Sequence, residues 1–308
     1  MTALEDAQAL RKAMKGLGTD EKTIIKIIAN RTNAQRLEIK EVYEKAINRD
    51  LIKDFKSELS GHFKDTVLDL FIPPIDYDVE QLRKAVKGIV TNEDTLIEII
   101  ASRDETRLNQ IKAKYKEKYD IDLEESIEKE TSGNFKRLLI ALLQGGRSKN
   151  LRLDIEDCRY KAKQLYEAGV GKWGINSYIF NKIFALSSKF ELIYICKEYY
   201  KLYGHSIIDA INENFKGDLK TLLKSIIHAI INPAEYFASR VNDAVKGLGT
   251  QDHLLIRTVI TRNEIDLPLI KRYYKQLYGK DMVDDIKKDT SGDYRRILVE
   301  ILNNARGN

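Results

Sequence analysis

Four polar side chains recur at one position of a repeated pattern, each forty residues after a glycine-containing loop. They are Glu58, Glu130, Asn214 and Asp289, three acids and one amide. The first loop reads Lys15-Gly16-Leu17-Gly18-Thr19, and its last counterpart reads Lys246-Gly247-Leu248-Gly249-Thr250. A second glycine turn follows shortly after each polar residue, as in Ser60-Gly61. This spacing could bring the main-chain oxygens of a flexible loop together with one carboxylate.

Such a set of oxygens suits a hard divalent cation. Calcium takes about six to eight oxygens at about 2.3–2.6 Å, from carbonyls, carboxylates and water. Glycines allow the loop to turn several carbonyls toward one point, because they adopt conformations that other residues resist. One carboxylate leaves the ion with positive charge and open coordination positions, which an external anion such as a lipid phosphate can fill. The sequence therefore predicts weak calcium sites that are open to an anionic ligand.

Other chemistry has less support. A single Gly-x-Gly-Thr loop is most often a helix cap, but its repetition with an acid at a fixed distance favours the calcium hypothesis. A nucleotide loop is not indicated, because no Gly-Lys-Ser/Thr ending and no preceding strand are present. The four histidines are scattered without metal-ligand spacing, and no Ser/His/Asp or Cys/His set can be argued. We therefore do not expect an enzyme.

The loops belong to a fourfold internal repeat. Positions 18, 90, 174 and 249 mark the four copies, which are separated by 72, 84 and 75 residues. Counted from these positions, tyrosine recurs twenty-five residues on and glycine forty-three residues on, at Tyr43, Tyr115, Tyr199 and Tyr274 and at Gly61, Gly133, Gly217 and Gly292. Arginine recurs at Arg31, Arg103 and Arg262, with Ser187 in the third copy, and we expect these arginines to form structural ion pairs.

Each copy has the periodicity of helices. Ile24, Ile25 and Ile28 share one helical face, and the other copies carry matching apolar residues. Thr19, Thr91 and Thr250 stand where the next helix should be capped. Strand-like alternation is absent, so we predict an all-α protein. Proline and glycine pairs suggest repeat boundaries that give ranges 1–72, 73–147, 148–231 and 232–308.

Composition limits the class of protein further. Of 308 residues, 43% are hydrophobic and 32% charged, as in an ordinary globular chain, and no apolar run approaches the ~20 residues of a membrane span. The two cysteines and the absence of a signal-like first segment suggest the cytoplasm. The net charge of +5 is too small and too scattered to indicate nucleic-acid binding, but it favours an acidic surface such as an anionic lipid leaflet.

The sequence resembles the annexin family over essentially its whole length. The resemblance rests on the four loops, the polar residue forty positions on, and the phrases Lys56-Ser57-Glu58-Leu59-Ser60-Gly61 and Asp289-Thr290-Ser291-Gly292-Asp293-Tyr294. It implies four repeats of about five helices each, forming a curved disc. It also implies calcium loops on the convex face, which docks reversibly on acidic phospholipid at the cytosolic face of membranes.

The resemblance also implies particular ligands in repeats one and four. The repeat-one site comprises the carbonyls of Met14, Gly16 and Gly18 with the Glu58 carboxylate, and a weaker accessory site comprises Thr19 and Glu21. The repeat-four site comprises Val245, Gly247 and Gly249 with the Asp289 carboxylate.

The middle repeats depart from this pattern. Repeat two keeps Val86, Gly88 and Glu130 but has Val90 in place of the second glycine, and a β-branched residue resists positive φ. We expect a remodelled loop there, which is a weaker calcium candidate. Repeat three keeps Val170, Lys172 and Gly174, but Asn214 replaces the acid and offers only a neutral oxygen. We expect weak calcium binding or none in repeat three.

The resulting hypothesis is a non-enzymatic protein that binds acidic phospholipid in a calcium-dependent manner. Trp173, the only tryptophan, lies in the third loop; it is either packed in the core or, as the resemblance suggests, a membrane contact. The alternative is a cytoskeletal scaffold on the same fold, with calcium and lipid secondary. Self-association on membranes stays open, and the near absence of sequence before the first repeat suggests that no regulatory tail precedes it.

Overall fold

Helices make up every regular element of the part of the chain that is described. The computed structural model describes residues 2–16, 18–147, 152–170, 176–247 and 249–305. Within these ranges there are twenty α-helices and no strand. The prediction of an all-α chain with about five helices in each repeat is therefore confirmed.

The first ten helices span repeats one and two. In chain order they are α1 (Ala3–Ala13), α2 (Glu21–Ala29), α3 (Asn33–Ile47), α4 (Leu51–Glu58), α5 (Gly61–Leu70), α6 (Pro74–Lys87), α7 (Glu93–Ser102), α8 (Glu105–Tyr119), α9 (Leu123–Glu130) and α10 (Gly133–Gln144).

The last ten helices repeat the same order. They are α11 (Ile155–Val170), α12 (Ser177–Leu186), α13 (Lys189–Tyr203), α14 (Ile207–Asn214), α15 (Gly217–Ile231), α16 (Pro233–Val245), α17 (Asp252–Arg262), α18 (Leu267–Tyr278), α19 (Met282–Asp289) and α20 (Gly292–Asn303). None of the described helices combines the length and the apolar character needed to cross a bilayer.

The helices group into two compact units. The first unit contains Met1–Tyr77 and Ala234–Asn308, and the second contains Asp78–Pro233. Repeats one and four therefore share the first unit, where α5 packs against α17 and α20. Repeats two and three share the second unit, where α7 packs against α10 and α15.

The recurring tyrosines lie in the core of each repeat. Tyr43, Tyr115, Tyr199 and Tyr274 are all fully buried. The Tyr43 hydroxyl donates to Asp54 at 2.6 Å, and the Tyr274 hydroxyl donates to Asp285 at 2.9 Å. A buried hydroxyl needs such a partner, since an unmade hydrogen bond in the interior is costly. In repeats one, two and four the tyrosine hydroxyl thus tethers the third helix to the fourth, with Ser126 as the partner of Tyr115 at 3.1 Å.

The recurring arginines form ion pairs, as the sequence predicts. Arg31 contacts the buried Asp6 at 2.7 Å in the first unit, and Arg103 contacts the buried Asp78 at 2.9 Å in the second. Arg262 contacts Asp266 at 2.6 Å.

The prediction that loop threonines cap the following helices is wrong. The residue after each threonine takes the cap position, as the Asp20 carboxylate accepts from the Thr23 amide at 3.0 Å and the Asn92 side chain from the Thr95 amide at 2.9 Å. Aspartate and asparagine are good caps because a short side-chain oxygen reaches an unpaired amide of the first turn. The threonine hydroxyl is thereby free to bond elsewhere.

Candidate calcium sites

The repeat-one loop joins α1 to α2. The Asp20 amide donates to the Ala13 carbonyl at 2.9 Å and closes the loop at its base. Within it, Gly16 has φ 117° and Gly18 has φ 88°. These are left-handed conformations that favour glycine, so the two glycines are required by the path of the chain. Met14, the first predicted carbonyl donor, follows α1 directly and its side chain is buried.

The loop is held against the predicted acid. The Thr19 hydroxyl donates to Glu58 Oε2 at 3.1 Å, although the two residues are 39 positions apart. Glu58 ends α4 and is exposed, and it lines a cavity of about 320 Å³ together with Glu21. The structure therefore brings Thr19, Glu21 and Glu58 together beside the two glycines.

The repeat-four loop has the same construction. The Gln251 amide donates to the Ala244 carbonyl at 2.8 Å, and Gly247 and Gly249 have φ 127° and 88°. Val245 ends α16 and opens this loop. The Thr250 hydroxyl donates to the main-chain oxygen of Asp289 at 2.8 Å. Here the threonine contacts the backbone of the acid and not its carboxylate.

One oxygen of this carboxylate lacks a partner. Asp289 Oδ2 is buried and accepts no hydrogen bond from any described residue. A buried carboxylate oxygen without a partner costs more than a neutral one, because ionised groups lose the most hydration. A cation at this place would satisfy it. The donors at this site are carbonyl and carboxylate oxygens, and calcium takes oxygen ligands. The donor set therefore fits calcium.

The second turns of repeats one and four meet in the first unit. Ser60 and His62 line the same cavity as Ser291 and Tyr294. His62 Nε2 lies 3.2 Å from Asp252 Oδ2, at the start of α17. Burial raises the pKa of Tyr294 far above its usual value, and the negative charge of Asp252 acts in the same direction, so its phenol stays neutral.

The repeat-two loop has another conformation, as its Val90 predicts. Neither Gly88 nor Val90 has positive φ. A Cβ on Gly88 would lie 2.9 Å from the carbonyl oxygen of Val90. Glycine at position 88 thus serves a close approach of the backbone and not a left-handed turn. The Thr91 hydroxyl still donates to the Glu130 main-chain oxygen, at 3.3 Å.

Repeat three differs in length as well as in its acid. Its loop is closed by the Asn176 amide and the Ala168 carbonyl at 3.1 Å, which spans one residue more than in the other repeats. Gly169, and not Val170, is therefore the counterpart of Met14, which corrects the register expected from sequence. Asn214 Nδ2 donates back to the Ala210 carbonyl at 2.8 Å. Lys172, Trp173 and Gly174 lie outside the described residues.

Two features of the second unit were missed by sequence reasoning. Lys216 stands where the other repeats have a serine, and it lines a cavity of about 380 Å³ with Glu130 and Asp218. Ile89 and Val90 are exposed at the tip of the repeat-two loop. Extending the repeat register to every loop position would have revealed Lys216, whereas the exposure of Ile89 and Val90 is a property of the folded loop.

No cluster of three or more histidine, cysteine or acidic side chains suited to a metal occurs among the described residues. The candidate donors are of a different kind, main-chain carbonyls with one carboxylate in each repeat. The fold and these loops define the class: an all-helical protein of four repeats in which, in repeats one and four, a left-handed glycine loop is hydrogen-bonded through its threonine to an acidic residue that precedes a second glycine turn.

Comparisons with known proteins identify the family within this class. The annexin family model matches residues 5–70, 77–142, 160–226 and 236–301. Human annexin A4 is 43% identical over 297 residues, which cover 96% of this chain and 93% of that protein. The chain belongs to the annexin family, which is known for calcium-dependent phospholipid binding. The boundaries between its repeats remain a prediction.

Solved structures agree with this assignment. A structure of chicken annexin V has a TM-score of 0.94 at 40% identity and covers 98% of this chain and 96% of its own. A calcium-bound structure of annexin (Sm)1 has a TM-score of 0.84 at 30% identity and covers 98% and 90%.

Val90→Gly is expected to create a calcium site in repeat two. Glycine can adopt the left-handed conformation that Gly18 and Gly249 share, whereas valine resists it. Crystals of the variant soaked in calcium should show an ion between this loop and Glu130. Val90→Ala is the matched control, because it removes the β-branch without giving the backbone the conformational freedom of glycine. An ion in the alanine variant, or none in the glycine variant, would contradict this explanation.

Proposed function

We propose that this chain binds acidic phospholipid membranes in the presence of calcium through the loops of repeats one and four. The observation that carries the proposal is the buried and unpartnered Asp289 Oδ2 beside the left-handed loop of Gly247 and Gly249. The same loop conformation at Gly16 and Gly18, beside Glu58, supports a second site.

Each proposed site combines loop carbonyls with a single carboxylate. In repeat one the donors are Met14, Gly16, Gly18 and Glu58, and in repeat four they are Val245, Gly247, Gly249 and Asp289. Thr19 and Glu21 form an accessory site. Bound calcium supplies the positive charge that attracts an anionic headgroup. One carboxylate does not neutralise that charge, so a lipid phosphate can complete the coordination.

Both complete sites belong to the same compact unit, which supports cooperation between them. When one loop is on a membrane, the other meets headgroups at high effective concentration, so two weak contacts give firm attachment. The protein's net charge of +5 adds attraction to an acidic leaflet, at about 1 kcal/mol for each basic side chain near the surface. We propose that the protein lies in the cytoplasm and binds reversibly at the cytosolic face of membranes.

The direct test is co-sedimentation with vesicles. The protein should pellet with phosphatidylserine vesicles in calcium, stay in the supernatant with pure phosphatidylcholine vesicles, and be released by a chelator. Failure to pellet with acidic vesicles at millimolar calcium would refute the proposal.

Co-sedimentation also distinguishes the proposed function from the alternative of a cytoskeletal scaffold. A cytoskeletal scaffold should co-sediment with filaments in chelator and without lipid. The proposal requires the opposite, that attachment depends on both calcium and vesicles. Self-association on membranes and a role for Trp173 at the lipid surface remain predictions. We propose no catalytic activity.

A further inference from the structure

Two adjacent apolar side chains project into solvent at the tip of the repeat-two loop. Ile89 has a relative exposure of 107% and Val90 of 80%, the two highest values among the large hydrophobic residues that the structure describes as exposed. Neither packs on the protein. Isolated exposed apolar residues are common, but two adjacent exposed aliphatic side chains at a loop tip form a continuous apolar patch in contact with water.

This tip occupies the same place in its repeat as the two proposed calcium loops. The Asn92 amide closes it onto the Ala85 carbonyl at 2.9 Å, as Gln251 closes the repeat-four loop onto Ala244. The Thr91 hydroxyl bonds the Glu130 main chain as Thr250 bonds that of Asp289. What differs is the content of the loop, since Val90 stands where those loops have a left-handed glycine.

We infer that repeat two contacts the membrane through Ile89 and Val90, as an apolar anchor in place of a calcium bridge. This inference rests on the proposed function and adds a second kind of contact to it. The pair inserts between headgroups at the boundary of the acyl region. Once calcium attaches the protein, the pair meets the bilayer at high effective concentration, so a small anchor suffices.

The neighbouring charges favour a lipid occupant. Lys84 and Lys87, in the last turn of α6, are exposed. Lysines beside an apolar tip suit the acidic headgroup zone. A second copy of the chain is a poorer occupant, because a stable protein interface needs about 800 Å² from each partner and two side chains at a tip supply far less.

The test compares Ile89→Ser/Val90→Ser with the wild type on phosphatidylserine vesicles at saturating calcium. We expect vesicle affinity to fall by about tenfold or more, because even partial burial of two aliphatic side chains is lost. The ratio of wild-type affinity to variant affinity should stay the same in high salt, because salt screens the charges of the lysines and does not weaken apolar contacts. Ile265→Ser, at an exposed isoleucine between α17 and α18, is the matched control and should change nothing. An unchanged unfolding midpoint excludes a folding defect.

A second measurement locates the tip directly. Ile89→Trp in a Trp173→Phe background carries a single tryptophan, and vesicles with acyl-brominated lipid should quench it in calcium and not in chelator. Absence of quenching, together with wild-type affinity of the double serine variant, would overturn the anchor while the calcium bridges stand. A wild-type protein that fails to pellet would overturn both. Lipid-free association that the serine variant abolishes would assign the pair to a dimer and also overturn the anchor.

Discussion

Glu58→Gln combined with Asp289→Asn is expected to abolish calcium-dependent pelleting at calcium concentrations that saturate the wild type. Each substitution keeps the size of the side chain and removes the one negative charge of its proposed site. A divalent ion held by carbonyls alone binds much more weakly. We expect each single variant to need about tenfold more calcium for half-maximal pelleting, and the double variant about a hundredfold more.

The position of Asp289 makes its substitution the more informative of the two. Its Oδ2 is buried without a partner, whereas Glu58 Oε2 already accepts from Thr19. Asp289→Asn relieves an unpaired buried charge, so the variant should unfold at the same temperature as the wild type or higher in chelator while losing calcium response.

Glu41→Gln with Asp284→Asn is the control for this pair. It removes the same charge from repeats one and four, at exposed positions whose ion pairs with Lys45 and Lys287 are 3.8 and 3.7 Å long. This control should leave the calcium titration of pelleting unchanged. If it shifts the titration as far as Glu58→Gln with Asp289→Asn does, net charge and not the proposed ligands governs binding.

Asp78→Ala is expected to destabilise the second unit strongly. The Asp78 carboxylate is 1% exposed and lies between two guanidinium groups, at 2.9 Å from Arg103 and 3.0 Å from Arg107. Removal of this carboxylate takes away the negative charge that pairs with the largely buried Arg103 guanidinium. Breaking such a pair costs about 3–5 kcal/mol, which corresponds to a fall of about 10 °C in the midpoint of thermal unfolding.

Asp122→Asn is the comparison that tests whether the burial of the Asp78 ion pairs matters, because it breaks an ion pair at the protein surface. Asp122 pairs with Lys116 at 2.8 Å, but both side chains are more than half exposed, and exposed pairs contribute at most about 1 kcal/mol. Thermal unfolding of both variants in chelator, without lipid, measures the difference. Equal midpoints would mean that the Asp78 cluster contributes no more than a surface pair.

Much of the fold and of the candidate site could be predicted because the chain repeats itself. The apolar spacing of Ile24, Ile25 and Ile28 predicts a helix, and the structure has α2 there with all three buried. The register of Glu58 and Asp289 against the glycine loops predicts which residues should meet. One copy would not have sufficed, since a lone glycine loop is most often a cap.

Details of single loops were harder to predict. The place of a cap depends on which of two neighbouring polar residues reaches the first turn, and Asp20 rather than Thr19 does so. The extra residue in repeat three appears only in the Ala168–Asn176 bond, because counting from one glycine cannot show on which side of it an insertion falls. The arginine recurs in repeat four, but its acidic partner does not. Phe237 stands where repeats one and two have Asp6 and Asp78, and its ring lies 4.5 Å from the Arg262 guanidinium. Asp266 makes the ion pair with Arg262 instead.

The sequence by itself determined the helical class, the four copies and the residues proposed to bind calcium, because periodicity and residue type are local properties of the chain. Only the tertiary structure decided that Thr19 holds Glu58, that Asp289 Oδ2 has no partner, and that the repeat-two tip points its apolar pair into solvent. Those facts depend on contacts between segments about forty residues apart, or on backbone angles. Residue type limits which backbone angles are allowed, but the fold decides which of them a loop adopts.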